Sequence, residues 1–184
     1  MHALEKALVI IDIQNDITKN YKDVITNINK AIDCAVQNAI PVVYIRHEFL
    51  QENARKFRPN TPGSELVPDL QIVSKHIFIK HKGNALTSPE FLDFIAKNGI
   101  TEFYLAGADA TQCVKSTCFN MRKAGYDVTV LSDCITSWDK KQVPAMLQYY
   151  ESQGSKIASS EALAGRVAKI ISNNCRPLNL KENL

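Results

Sequence analysis

TEFYLAGADATQCVKSTCFNMRKAGYDVTVLSD, residues 101–133, carries a strand, a helix and a second strand in one stretch. Residues 101–107 are an aromatic and apolar run that stops at Gly107, the pattern of a buried strand. Residues 112–124 follow as a helix that stops at Gly125, where a helix end favours glycine. DVTVLSD, 127–133, is rich in β-branched residues and closes on an acid. Two apolar strands joined through a helix run parallel, because the crossover carries the chain back to the starting edge.

The same alternation extends to both sides. KALVIID (6–12) reads as a buried strand, and residues 22–38 place Val24, Ile28, Ala31, Ile32, Ala35 and Val36 on one helical face. VVYIRH (42–47) follows Pro41, and HIFIK (76–80) is the third strand. Ser88-Pro89-Glu90 reads as an N-cap with proline at the first helical position, opening a helix that runs to about Asn98 and stops at Gly99. A helix over 141–153 ends at Gly154, KIAS (156–159) is a short sixth strand, and a last helix covers 160–172 before an irregular tail, 173–184. Between Glu48 and Ser74 no periodicity holds, and Pro59, Pro62, Gly63 and Pro68 punctuate the segment. A connection this long is usually a lid or a pocket wall. The chain is therefore expected to be one α/β domain over 1–184: a doubly wound, six-stranded parallel sheet, flanked by helices in a Rossmann-like three-layer arrangement.

Composition narrows the function. The 184 residues are 45% hydrophobic and 22% charged, with a formal net charge of +3, ordinary for a globular protein. Lysines and arginines are scattered, so no basic stripe for nucleic acid is expected. The apolar run near the amino end is too short for a signal peptide, and no window reaches the ~18 apolar residues of a membrane span. The five cysteines (34, 113, 118, 134 and 175) are odd in number and form no CxxC pair, which argues against a disulfide framework or zinc knuckle. A reduced, cytoplasmic protein acting on a small molecule, with no membrane or nucleic-acid partner, is the expectation.

Sheets of this type bind ligands at the carboxyl ends of their strands. Asp12 closes strand one, Lys80 closes strand three, and Cys113 opens the helix after strand four. A cysteine in the first turn of a helix feels the positive end of the macrodipole, and a neighbouring ammonium would lower its pKa further below about 8.5. A carboxylate can accept the thiol proton, so an acid, a cation and a thiol at one edge suit covalent acyl transfer. Each has a plainer reading as loop cap, solvated charge or packing residue. Cys113 and Cys118 also stand as a conceivable redox pair, although a spacing of five on a helix fits disulfide geometry poorly.

The strings ALVIIDIQND, IFIKHKGNAL and GADATQCVKSTCFNMRKAGYDVTVLSDC, with PGSEL at 62–66, resemble the isochorismatase-like cysteine hydrolases over residues 5–165. The resemblance implies a catalytic set of Asp12, Lys80 and Cys113, an oxyanion hole from the backbone N–H groups of Asp109 and Cys113, and a cis peptide between Ala108 and Asp109. It also implies a homo-oligomer, dimer or tetramer, and no cofactor. Departures are Leu86 where relatives usually carry Phe, Pro89 where Thr is frequent, and the large acidic Asp109. Nicotinamidases build a metal site from an Asp-x-His pair and a further His. Here His47 follows Tyr44-Ile45-Arg46, so no metal is expected. Isochorismatases proper lack the cysteine. What remains is hydrolysis of a C–N bond in a small amide, carbamoyl or ureido compound, with Gln14, Asn84, Arg46, His47 and Trp138 as candidate substrate contacts. The alternative is a catalytically silent binding or scaffold member of the same fold.

Overall fold

The computed structural model describes residues 5–164. Six parallel strands, β1 (Lys6–Ile11), β2 (Val42–His47), β3 (Ile77–Lys80), β4 (Glu102–Ala108), β5 (Asp127–Thr136) and β6 (Lys156–Ala158), form one sheet in the order β3-β2-β1-β4-β5-β6. The expected doubly wound architecture is present. The order reverses direction between β1 and β4, and that is where such sheets open a crevice for a ligand. Asp12 follows the first of these strands and Cys113 the second.

The helices are α1 (Asn15–Thr18), α2 (Ile25–Gln37), α3 (Pro89–Asn98), α4 (Cys113–Lys123) and α5 (Val143–Ser152). On one face of the sheet, Ile28, Ala31, Ile32 and Ala35 of α2 pack against Leu8, Ile10 and Tyr44. On the other, Phe91 and Ile95 of α3, Val114 and Met121 of α4 and Tyr150 of α5 cover Val9, Ile11, Ile45 and Leu105. No helix among the described residues is long and apolar enough to cross a membrane.

Several expectations are corrected in detail. The helix expected over 22–38 begins as a 3-10 turn, Lys22–Val24, and becomes α-helical at Ile25. Val36 is 54% exposed, since it falls past the stripe that meets the sheet, and Ile25 is buried in that layer instead. α1 was not anticipated: its single turn lacks the length that makes periodicity visible. Ser88 occupies the N-cap of α3, but its hydroxyl goes to Glu90 Oε2 at 3.2 Å rather than to a backbone N–H. Residues 160–163 form a 3-10 turn and not the start of an α-helix. Asp133 captures both the Ser160 N–H (2.8 Å) and its hydroxyl (2.6 Å), and Ala164 then turns extended. The rest of that expected helix, the tail and Cys175 lie outside the described residues.

β5 continues past its expected end at 133 to Thr136, because its pairing with β4 shifts register between Leu105 and Gly107. Gly107 has φ +119°, and a Cβ there would stand 2.1 Å from the carbonyl oxygen of Ile11. Any side chain would push β1 off β4 near the carboxyl ends of the two strands. Gly107→Ala is expected to lower the unfolding free energy by about 3 kcal/mol or more, from left-handed strain plus a clash with backbone. Urea denaturation of the two proteins measures this, and a loss below about 1 kcal/mol would contradict the packing described.

Candidate active site

The site is built where three strands end. Asp12 leaves β1 with φ +55° and its N–H donates to Ile45 O at 3.0 Å. A non-glycine residue in the left-handed region costs free energy and is concentrated at functional sites. His47 and Lys80 face each other as register partners at the ends of β2 and β3. Cys113 is the first residue of α4. These four side chains converge on one atom, the ammonium nitrogen of Lys80. Nζ lies 2.9 Å from Asp12 Oδ2, 3.0 Å from His47 Nδ1 and 3.3 Å from Cys113 Sγ. An ammonium has three N–H donors and no acceptor, so three acceptors satisfy it completely.

Lys80 has no exposed surface and Asp12 is 1% exposed. Water therefore contributes little, and the carboxylate is the group that compensates the buried ammonium. Asp12 Oδ1, the other carboxylate oxygen, is enclosed and has no hydrogen-bond partner among the described residues. The thiol departs from expectation. Burial first, and then the negative charge of Asp12, push Cys113 up to about 12, against the downward pull of Lys80. Position at a helix start does not overcome desolvation here. The resting group is a protonated thiol beside a carboxylate with a vacant oxygen.

The turn before α4 is held from its side chains. The Ala108–Asp109 peptide is cis. Asp109 Oδ1 accepts from the Thr111 N–H (2.7 Å), the Thr111 hydroxyl (2.8 Å) and the Ser137 hydroxyl (2.9 Å). Its Oδ2 accepts from the Tyr21 hydroxyl (2.9 Å) and the Trp138 N–H (2.8 Å). Burial alone would raise this carboxyl, but the hydrogen bonds outweigh it and hold it below the usual carboxylate range. The acid that looked anomalous in sequence is thus an ionised tie between the turn and the end of β5. Among the described residues, the backbone N–H groups of Asp109 and Cys113 donate to no other group.

A cavity of about 630 Å³ opens onto Cys113 and is walled by Tyr21, His47, Phe49, Phe57, Asp109 and Trp138, with Lys56 at its edge. Trp138, a candidate substrate contact, is 70% exposed and belongs to this wall. Three other candidates do not reach it. Gln14 is fully buried, its Nε2 donating to His47 O (2.9 Å) and Ser64 O (2.7 Å) while its Oε1 accepts from the His47 N–H (2.8 Å), so the amide is consumed internally. Asn84 caps the turn that follows it by accepting from the Leu86 N–H at 3.0 Å. Arg46 points to the other side of β2, where it meets Glu48 (3.0 Å), Glu65 (3.1 Å) and Ser64 O (2.9 Å). Strand alternation sends Arg46 and His47 to opposite faces.

The residues missed by sequence reasoning are Phe49, Phe57 and Tyr21 of the wall. Phe57 has φ +54° and its N–H donates to Asp16 Oδ2 at 2.6 Å. Asp16 also fills the space beside Gly63, where a Cβ would stand 2.2 Å from its carboxylate. The available signals were the length of the 48–74 segment and the second acid of Asp12-x-Gln14-x-Asp16. Cys118, considered as a redox partner, is buried against the Ser155 hydroxyl at 3.1 Å.

Asp12, His47 and Cys113 bring a carboxylate oxygen, a ring nitrogen and a sulfur within 4.8 Å of one another, the donor set of a metal site. The Lys80 ammonium already lies within 3.3 Å of all three, so the residues present do not fit a metal ion. The raised thiol has a direct consequence. Iodoacetamide should alkylate native Cys113 about 30-fold more slowly than the unfolded chain near neutral pH, because the thiolate fraction falls about a thousandfold while the more basic thiolate is the better nucleophile. The rate should climb with pH without a plateau below about pH 10. A neutral-pH plateau, read by mass spectrometry of the Cys113 peptide, would show a depressed pKa instead.

Residues 6–162 match the isochorismatase domain. The uncharacterized isochorismatase family protein YddQ of Bacillus subtilis is 29% identical over 156 residues, covering 78% of this chain and 87% of the relative. A probable inactive nicotinamidase of Arabidopsis thaliana is 26% identical over 153 residues, 69% of this chain and 78% of the relative. Among solved structures, N-carbamoylsarcosine amidase from Thermoplasma acidophilum superposes with a TM-score of 0.75 at 20% identity, covering 85% of this chain and 97% of that one. With a six-stranded fold of the same kind and a domain match over nearly its whole length, the chain belongs to the isochorismatase family.

Proposed function

We propose that the protein is a cysteine hydrolase that cleaves a C–N bond in a small amide, carbamoyl or ureido compound through a thioester on Cys113. The observation that carries this reading is the carboxylate–thiol pair bridged by Lys80, with Asp12 Oδ1 buried and unpartnered. A thiol held near 12 is a poor nucleophile until a base removes its proton, and Asp12 is the base within reach. Membership of a hydrolytic family supports the reaction class, and a fold neighbour named as a carbamoyl amidase supports the bond type.

In this mechanism the Cys113 proton passes to Asp12 as Sγ bonds to the carbonyl carbon. The oxyanion is received by the N–H groups of Asp109 and Cys113. One such donor is typically worth 10²–10³ in rate. The C–N bond then breaks, and the departing amine takes the proton from Asp12. Water, deprotonated by Asp12, hydrolyses the thioester and returns the thiol. Lys80 keeps a positive charge beside whichever partner is anionic, so neither microstate leaves a lone buried charge. The cavity of about 630 Å³ suits a small molecule, and its aromatic walls with Lys56 favour a compact, partly apolar substrate.

The test is ammonia release from a panel of small amides, carbamoyl amino acids and ureido acids. Native protein should turn over at least one class, while Cys113→Ala and Asp12→Asn should each be slower by about a thousandfold or more. Equal release from native and Cys113→Ala would overturn the nucleophile assignment. No turnover of any panel member, with Cys113 unreactive even to an activated ester, would support the silent binding member, a reading that the named inactive relative keeps in play.

A further inference from the structure

We propose that His47 is a positioning residue of the catalytic centre: a neutral imidazole whose Nδ1 takes the third N–H of Lys80 and thereby fixes the other two on Asp12 and Cys113. This rests on the cysteine-hydrolase reading of the same site. Lys80 has a flexible four-carbon stem, and an ammonium on it rotates freely unless every N–H is occupied. With only Asp12 and Cys113 as acceptors, one N–H would be left in an enclosed site. His47 Nδ1 at 3.0 Å occupies it.

The protonation state follows from donor and acceptor roles. The ammonium can only donate, so Nδ1 must be bare and the ring proton resides on Nε2. An imidazolium would set two donors and two positive charges 3.0 Å apart. The charged groups against the ring are Asp12 from the end of β1 and Lys80 from β3, the Cys113 thiol lies 3.7 Å away, and Lys56 lines the same cavity with its Nζ over Phe57. Arg46 and Glu48, its strand neighbours, are paired with each other on the other side.

The ring itself is held rigidly. Its backbone is clamped from both sides by Gln14, with the His47 N–H and C=O bonded at 2.8 and 2.9 Å. Its plane lies 4.4 Å from Phe49 and 5.9 Å from Phe57, centroid to centroid. His47 is 5% exposed and its Nε2 has no partner among the described residues. A histidine present only for packing would not need its polar edge turned onto the ammonium.

Two measurements decide the matter. The first needs no variant activity: ¹⁵N spectra of histidine-labelled native protein, with His47 assigned by its absence in His47→Asn. The expected pattern is the Nε2–H tautomer with a bare Nδ1. A proton on Nδ1, or rapid averaging between tautomers, would overturn the proposal. The second reads acylation of Cys113 by p-nitrophenyl acetate, followed as burst amplitude and rate. His47→Phe keeps the ring and its stacking but removes the acceptor, and should acylate about 100-fold more slowly with little change in half-saturation. His47→Asn offers an oxygen near the Nδ1 position and should recover to within about tenfold of native. A packing role predicts the reverse order of the two variants, and that order would sink the inference. If native Cys113 is never acylated, the hydrolase reading fails, and the tautomer still decides where the proton resides.

Discussion

The centre depends on one buried ammonium. Lys80 Nζ is the meeting point of Asp12, His47 and Cys113, which arrive from the ends of β1 and β2 and the start of α4. Burying such a charge costs several kcal/mol even when it is paired, and an apolar replacement of equal shape is often no less stable. The pair is better explained by chemistry than by stability. In the proposed mechanism, a buried ammonium with every N–H occupied lets negative charge move between carboxylate and sulfur over a short distance without solvent rearrangement. The parallel sheet supplies this geometry because all its strands end on the same edge.

The segment from Asp12 to Asp16 links that chemistry to the shape of the pocket. Asp12 faces the ammonium. Gln14 clasps the His47 backbone and Ser64 O, Asn15 donates to Pro62 O at 2.8 Å, and Asp16 holds the Phe57 N–H. Four of these five consecutive residues therefore place the Asp12 carboxylate and pin the long 48–74 connection as a wall. Apart from the 3-10 turn Pro62–Ser64 and a single β-bridge between Gln14 and Leu66, these contacts hold the connection in place, in keeping with the functional use of long loops. The wall's most constrained member, Phe57, also stacks on His47, so the wall and the centre are mechanically joined.

Much of the fold was legible because burial leaves a local mark. Continuous apolar runs marked β1, β2, β4 and β5, and glycines at 99, 125 and 154 marked helix ends. The rule that ligands meet strand carboxyl ends placed Asp12, Lys80 and Cys113 together before any geometry was known. What stayed hidden depends on contacts distant in sequence. Gln14 and Arg46 look like substrate ligands until their partners 33, 50 and 18 residues away are seen. The direction of the Cys113 shift was misjudged because the helix start is visible in sequence but the depth of burial is not. Asp109, five-fold hydrogen-bonded, reads as an oddity in sequence and as a tie in the structure.

In the proposed mechanism the sulfur gathered by Lys80 becomes an acyl carrier. Acid quenching during steady turnover of whichever amide or ureido compound is hydrolysed, followed by mass mapping of the Cys113 peptide, tests it directly. An acyl mass on Cys113 that hydroxylamine removes is the expected result, as a thioester requires. Turnover with the Cys113 peptide unmodified at every quench time, together with undiminished turnover by Cys113→Ala, would contradict it.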